Sequence, residues 1–223
     1  MDEFLVYLRE ETASRDILLI HDEIITGFRL RYGTAGDMLF GAEPDLLTLG
    51  KAAAGGMPLG VYGGREDIMS LAIPGTKGGR WVGGGTFSSH PLTMAAGSAV
   101  LERLHEKRDE YDRLNKMGDS FRARLNQMLE DMNAPLVGTG HGSINFVSYL
   151  SKVLDKPLRT PGQLGALFDH KMQDIFQGHL MQEGIFGYHG LGALSFTHTK
   201  EDIDNTLEGI SNVVKVVMKL SDI

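Results

Sequence analysis

Three short apolar runs mark the first part of the chain. Ile17–Ile20 ends in His21, Asp22 and Glu23. Leu46–Leu49 ends in Gly50 and Lys51, and Leu59-Gly60-Val61-Tyr62 ends in Gly63 and Gly64. Runs this short and this uniformly apolar predict strands buried on both faces, as in a parallel sheet. Ahead of them, residues 2–15 place Phe4, Leu5 and Leu8 on one side of an amphipathic helix. A helix is predicted over 65–72, then a glycine-rich loop from 72 to 90. Pro91 suits the first turn of a long helix running to about 106, and a charged amphipathic helix follows over 108–131, broken by Asn133-Ala134-Pro135.

Beyond that point the pattern changes. Ser143–Leu150 alternates in part and predicts a strand; 163–182 predicts a helix; Ile185–Tyr188 and Ala193–Phe196 predict short strands. Thr199-Lys200-Glu201-Asp202 has the cap and first-turn acids of a final helix reaching about 219. Strand–helix alternation gives way to a mixed pattern, so the expected architecture is α/β, with a mostly parallel sheet in residues 1–107 and a small α+β domain in 108–223.

Composition narrows the chemistry. The 223 residues are 42% hydrophobic and 23% charged, a globular balance. The net charge of -7, with Lys and Arg scattered among acids, argues against nucleic acid as a partner. No cysteine is present, which removes disulfides, thiolate catalysis and Cys-type zinc sites. The start of the chain lacks the basic and apolar segments of a signal peptide, and no apolar stretch is long enough to span a bilayer. The expectation is a cytoplasmic protein with no membrane partner.

The ends of the first two predicted strands carry the candidate chemistry. In open α/β sheets, ligands sit outside the carboxyl ends of strands. Asp22 offers a carboxylate there and Lys51 an amine. Further along, Gly84-Gly85-Thr86-Phe87-Ser88-Ser89 offers hydroxyls and amides for an anion. A lysine, an acid and an anion site are what a pyridoxal 5'-phosphate (PLP) enzyme needs. Each alone has a plainer reading: an Asp at a strand end is usually a turn residue, a Lys after Gly is usually solvated, and a glycine run is usually a loop. Periodicity by itself leaves PLP as one option among several. A dinucleotide site is disfavoured, because the glycines do not fall between the first strand and its helix. No nucleophile elbow, P-loop or HExxH is present.

Three longer segments resemble the class III aminotransferases. ILLIHDEIITGFRLRYGTAG (17–36) is similar to the segment around that family's pyridine-binding aspartate. PDLLTLGKAAAGGMPLGVYGG (44–64) is similar to its Schiff-base segment, and GTFSSHPLTMAAG (85–97) to its phosphate-binding segment. The resemblance implies PLP as cofactor, Lys51 as the imine lysine and proton carrier, and Asp22 as the partner of the pyridine nitrogen. It implies that Thr86, with Gly85 beside it, binds phosphate across a dimer interface. Arg65 to Met69, with His179–Ile185 and Ser195–Asp204, looks most like the glutamate-1-semialdehyde aminomutase branch, whose members move an amino group on a small amino or keto substrate.

The same resemblance covers only the C-terminal half of the family. The missing half would supply the phosphate loop, the aromatic residue stacked on the cofactor and most substrate contacts. The expected partner is therefore a second copy of the chain or a separate N-terminal polypeptide, covering strands otherwise left open. A non-catalytic subunit acting by association is the second expectation. Among other residues, His21 is expected to pack in the core and His90 to serve structure. Glu23 faces away from Asp22 and receives no catalytic role. Arg29 and Arg31 suit either a carboxylate ligand or surface ion pairs. Trp81 suits an interface or loop packing. His189 and His198 lack metal-ligand spacing, and no metal is expected.

Overall fold

The computed structural model describes residues 2–79, 84–187 and 191–221. The chain divides into two compact units, Met1–Tyr111 and Asp112–Ile223. The predictions for Trp81, His189 and the end of the 185–188 strand fall outside the described residues.

The first unit opens with α1 (Asp2–Ser14), followed by β1 (Ile20–Asp22), α2 (Gly36–Phe40), β2 (Leu46–Leu49), β3 (Val61–Gly64), α3 (Glu66–Met69) and α4 (Pro91–Glu106). The sheet order is β1-β2-β3. β1 runs parallel to β2, in the register Ile20↔Leu46, His21↔Leu47, Asp22↔Thr48. β3 returns antiparallel, with Leu47↔Gly63 and Thr48↔Tyr62. The expected mostly parallel sheet is thus a mixed one over these strands. The cause lies in the connections. Residues 23–45 are long enough for a crossover carrying α2, whereas 50–60 hold only a 3₁₀ turn, too short to bring β3 back parallel.

Asp45 ties this unit together. It is buried, and its carboxylate accepts the Leu19 amide (2.7 Å), Arg9 (2.9 Å) and Arg65 (2.7 Å). Its amide donates to the Leu19 carbonyl and its carbonyl accepts from the Arg65 amide. These bonds take up the backbone of Leu19, so regular pairing begins only at Ile20 rather than at Ile17. The Leu19 amide, Arg65 and Arg9 together hold the Asp45 carboxyl well below the usual carboxylate range. The expectation of a doubly buried first strand fails: Ile17, Leu18 and Ile20 are each at least half exposed. β1 lies at the edge of its sheet, and among the described residues no strand pairs with its free side.

The second unit holds α5 (Tyr111–Asp131, whose first residue closes the first unit), β4 (Leu136–His141), β5 (Ile144–Tyr149), α6 (Pro161–Leu167), α7 (His170–Gln182), β6 (Leu191–Ala193) and α8 (Lys200–Ser221). Its sheet is an antiparallel meander, β4-β5-β6. Phe121, Leu125, Leu136, Tyr149, Phe176, Leu207, Val214 and Val217 are among the residues of one buried core. Buried Gln173 fastens α7 to β5, accepting from the Tyr149 amide (2.7 Å) and donating to the Val147 carbonyl (3.1 Å). β4 was not expected from the sequence. Gly138 and Gly140 interrupt its alternation, and Gly138 is needed because a Cβ there would lie 2.9 Å from Leu125. The single helix expected over 163–182 is two: Thr160 forms a capping box with Gln163, and Asp169 caps α7 by accepting from the Met172 amide. The last short strand forms at 191–193 rather than 193–196, and residues 185–187 form no strand.

Candidate functional site

Because β1 and β2 run parallel, their carboxyl ends emerge at the same edge of the sheet. Asp22 is the last residue of β1, directly opposite Thr48. Lys51 follows β2 by two residues and opens a 3₁₀ turn, Lys51–Ala54. The topology therefore brings these two predicted residues to one end of one sheet, and both are exposed there.

Each is held in a distinct way. The Asp22 carboxylate accepts the Thr48 hydroxyl and the Ile24 amide, both at 3.1 Å. Lys51 has φ 40, a left-handed backbone that a long side chain rarely adopts and that the surrounding structure must enforce. Gly50 before it has φ -173 and ψ -149, and Gly55 after the turn has φ 59. Small residues then let the turn sit against α4. A Cβ on Gly55 would lie 2.7 Å from the Ala96 carbonyl oxygen, and one on Gly97 would lie 3.4 Å from that of Ala53. The Lys51 amine makes no ion pair or hydrogen bond with the described residues.

Gly85 and Thr86 lie in the exposed turn leading into α4. The Gly85 amide donates to the Ser88 hydroxyl at 2.7 Å, so it is engaged within its own loop. No hydrogen bond or ion pair joins Thr86 to Asp22 or Lys51. His90 sits at the start of α4 without capping it, and its Nδ1 is 3.4 Å from the Thr93 hydroxyl. His21 packs against Gly36, where an added Cβ would lie 2.4 Å from its ring, and its Nε2 is buried without a hydrogen-bond partner. Burial lowers the Arg29 guanidinium below its ordinary range, and burial pushes the neighbouring Tyr111 phenol up to about 12. Arg31 donates to the Met38 carbonyl (3.2 Å). In the second unit, His198 accepts the Ser195 amide (2.9 Å) in a local turn. The described residues hold no cluster of three or more His, Cys, Asp or Glu able to bind a metal. No helix among them is long and apolar enough to cross a membrane.

Two features of the site were not read from the sequence. Thr48 is the hydroxyl that meets Asp22; its only signal was its place opposite Asp22, and register is invisible before pairing is known. Glu23 is the other, with a buried carboxylate that organises the turn after Asp22.

The family model for Aminotransferase class-III matches residues 1–157. The chain belongs to the class III aminotransferases. Glutamate-1-semialdehyde 2,1-aminomutase of Methanosarcina acetivorans is 37% identical over 207 residues, covering 92% of this chain and 46% of that protein. Among solved structures, a β-phenylalanine aminotransferase from Variovorax paradoxus matches at TM-score 0.84 and 32% identity, covering 99% of this chain and 49% of that one. A transaminase solved with PLP bound matches at TM-score 0.79 and 26% identity, covering 99% and 49%. This aminotransferase chain thus spans about half the length of the relatives it matches. The family is PLP-dependent, as the sequence resemblance implied. The geometry fits that cofactor: an acid and a lysine share a sheet end, the acid is oriented by two donors, and the lysine is free of competing ion pairs.

Proposed function

We propose that the chain carries the lysine-bearing half of a PLP enzyme that transfers or migrates an amino group, near glutamate-1-semialdehyde aminomutase in chemistry. The observation that carries this reading is the parallel register Asp22↔Thr48. It delivers an acid, and three residues beyond Thr48 a lysine in left-handed backbone, to one end of one sheet. Lys51 would hold the cofactor through its amine and, with that amine free, would move a proton at the substrate α-carbon. Asp22 would hold a proton on the ring nitrogen, with the Thr48 hydroxyl and the Ile24 amide setting the direction of its carboxylate. Bound there, PLP supplies an electron sink for the carbanion that develops at the substrate α-carbon. Thr86 would receive the phosphate of a cofactor held mainly by a second subunit. Gly85 can add its amide only where the Ser88 hydroxyl turns away.

In this reading, residues 1–107 form part of the cofactor domain and 108–223 a small domain. The exposed Ile17, Leu18 and Ile20 support covering polypeptide over β1, from a second copy or from the N-terminal region that relatives carry. Light scattering on the purified chain tests the first source, and a well-folded monomer counts against it. The function is tested by absorbance. Adding PLP is expected to give a visible band that Lys51→Ala abolishes and that shifts on adding an amino donor. Absence of any Lys51-dependent band defeats the reading. The exposure of both Asp22 and Lys51 favours a second reading, a non-catalytic subunit; a Lys51-dependent band that no amino donor shifts supports that one.

A further inference from the structure

Glu23 follows the site acid directly and points the other way. Its side chain is buried, and no cation reaches it among the described residues. A buried carboxylate without a counter-ion persists only when donors surround it. Glu23 has them. The Ala35 amide donates to both of its oxygens (2.9 and 2.8 Å), the Gly36 amide to Oε1 (2.7 Å), and the Thr26 hydroxyl to Oε2 (2.9 Å). A Cβ on Gly36 would lie 2.4 Å from the His21 ring and 3.2 Å from Oε1, so a larger residue would have to displace them.

These bonds close the segment 23–36 onto the end of β1. The backbone of Glu23 joins in: its amide donates to the Thr48 carbonyl (3.0 Å), and its carbonyl accepts the Gly27 amide (2.9 Å). The next amide in the chain, that of Ile24, is the one that donates to Asp22 Oδ1. Both donors on Asp22, the Ile24 amide and the Thr48 hydroxyl, therefore come from residues whose backbone Glu23 adjoins or bonds directly. We infer that Glu23 is a positioning residue: its carboxylate holds the turn closed, and the closed turn aims Asp22. The functional meaning of this aim rests on the reading of Asp22 as the acid facing the cofactor nitrogen. The mechanical part does not.

Amide hydrogen exchange on the full chain without cofactor tests the mechanical part. In Glu23→Gln, one oxygen must serve donors that now use two, and the charge is gone. Exchange at Ala35, Gly36 and Ile24 is expected to quicken about tenfold, as for the loss of one buried hydrogen bond to a charged group. Amides of Leu125 and Val214, in the second unit, should stay unchanged. Asp22→Asn should leave Ala35 and Gly36 protected, because the dependence runs from Glu23 to Asp22. Thr26→Val removes a single donor and keeps the test alive if Glu23→Gln does not fold; it should quicken Ile24 by a smaller factor. Opening at Ala35 and Gly36 with Ile24 as protected as in the wild type would overturn the inference, leaving Glu23 as a loop anchor only. With PLP added, nitrogen NMR of the bound ring should show its proton lost at lower pH in Glu23→Gln than in the wild type. An unchanged midpoint would overturn the functional part, whereas a wild type that never binds PLP through Lys51 would defeat the reading of the site and leave the exchange result standing.

Discussion

The two units of the chain treat apolar side chains differently. In the second, Leu125, Phe176, Val214 and Val217 are fully buried in one core, and helices cover the meander. In the first, the buried apolar residues are mostly alanines, at 35, 42, 53 and 54, with Leu30 and Tyr111. Phe4, Tyr7, Ile17, Leu18, Ile20, Val61 and Tyr62 all lie exposed. What holds the first unit is a set of specific contacts rather than a large apolar core: the Asp45 cluster, the Glu23 turn, and close glycine contacts between the Lys51 turn and α4. Among the described residues, the unit with the self-sufficient core holds none of the residues proposed for the site, and the unit that holds them is the one with exposed strand side chains.

Substitutions should divide along the same line. Phe176→Ala leaves a large void and is expected to cost the second unit about 3–5 kcal/mol in urea unfolding. An equal loss in probes of the first unit would mean that the two do not melt separately. Gly55→Ala places a Cβ against the Ala96 carbonyl at positive φ and is expected to cost the first unit roughly 2 kcal/mol. Asp45→Asn should cost about 1.5 kcal/mol near neutral pH. Because the folded Asp45 carboxyl is held below its unfolded value, its contribution is present above about pH 4 and fades as pH falls through the folded value. The stability difference between wild type and Asp45→Asn should therefore shrink on acidification, and a difference that grows would contradict the assignment. Leu18→Lys is the smallest. It should change the stability of the chain by less than about 0.5 kcal/mol, yet weaken association with any polypeptide that covers β1.

Much of this was legible in the sequence where local signals were strong. β2 and α4 form at the residues expected, since Glu43-Pro44-Asp45 and Pro91 mark their starts. Asp22 and Lys51 stood out as polar residues closing apolar runs, and the fold brings both to one end of the first sheet. What escaped depended on contacts distant in sequence. Thr48 meets Asp22 only through strand register. The direction of β3 depended on the length of a connection, and the exposure of β1 on what lies beside it. β4 was hidden because its glycines serve close packing rather than alternation. Glu23 was rightly turned away from Asp22 by strand periodicity, but periodicity could not show that its carboxylate gathers the amides of residues 35 and 36.

The most direct test of the central claim is chemical. The chain is incubated with PLP, reduced with borohydride, and the labelled lysine mapped by mass spectrometry. The predicted result is labelling concentrated at Lys51, ahead of other exposed lysines such as Lys77, Lys116 and Lys171. Labelling spread evenly over the surface lysines, or concentrated at a different one, would contradict the account.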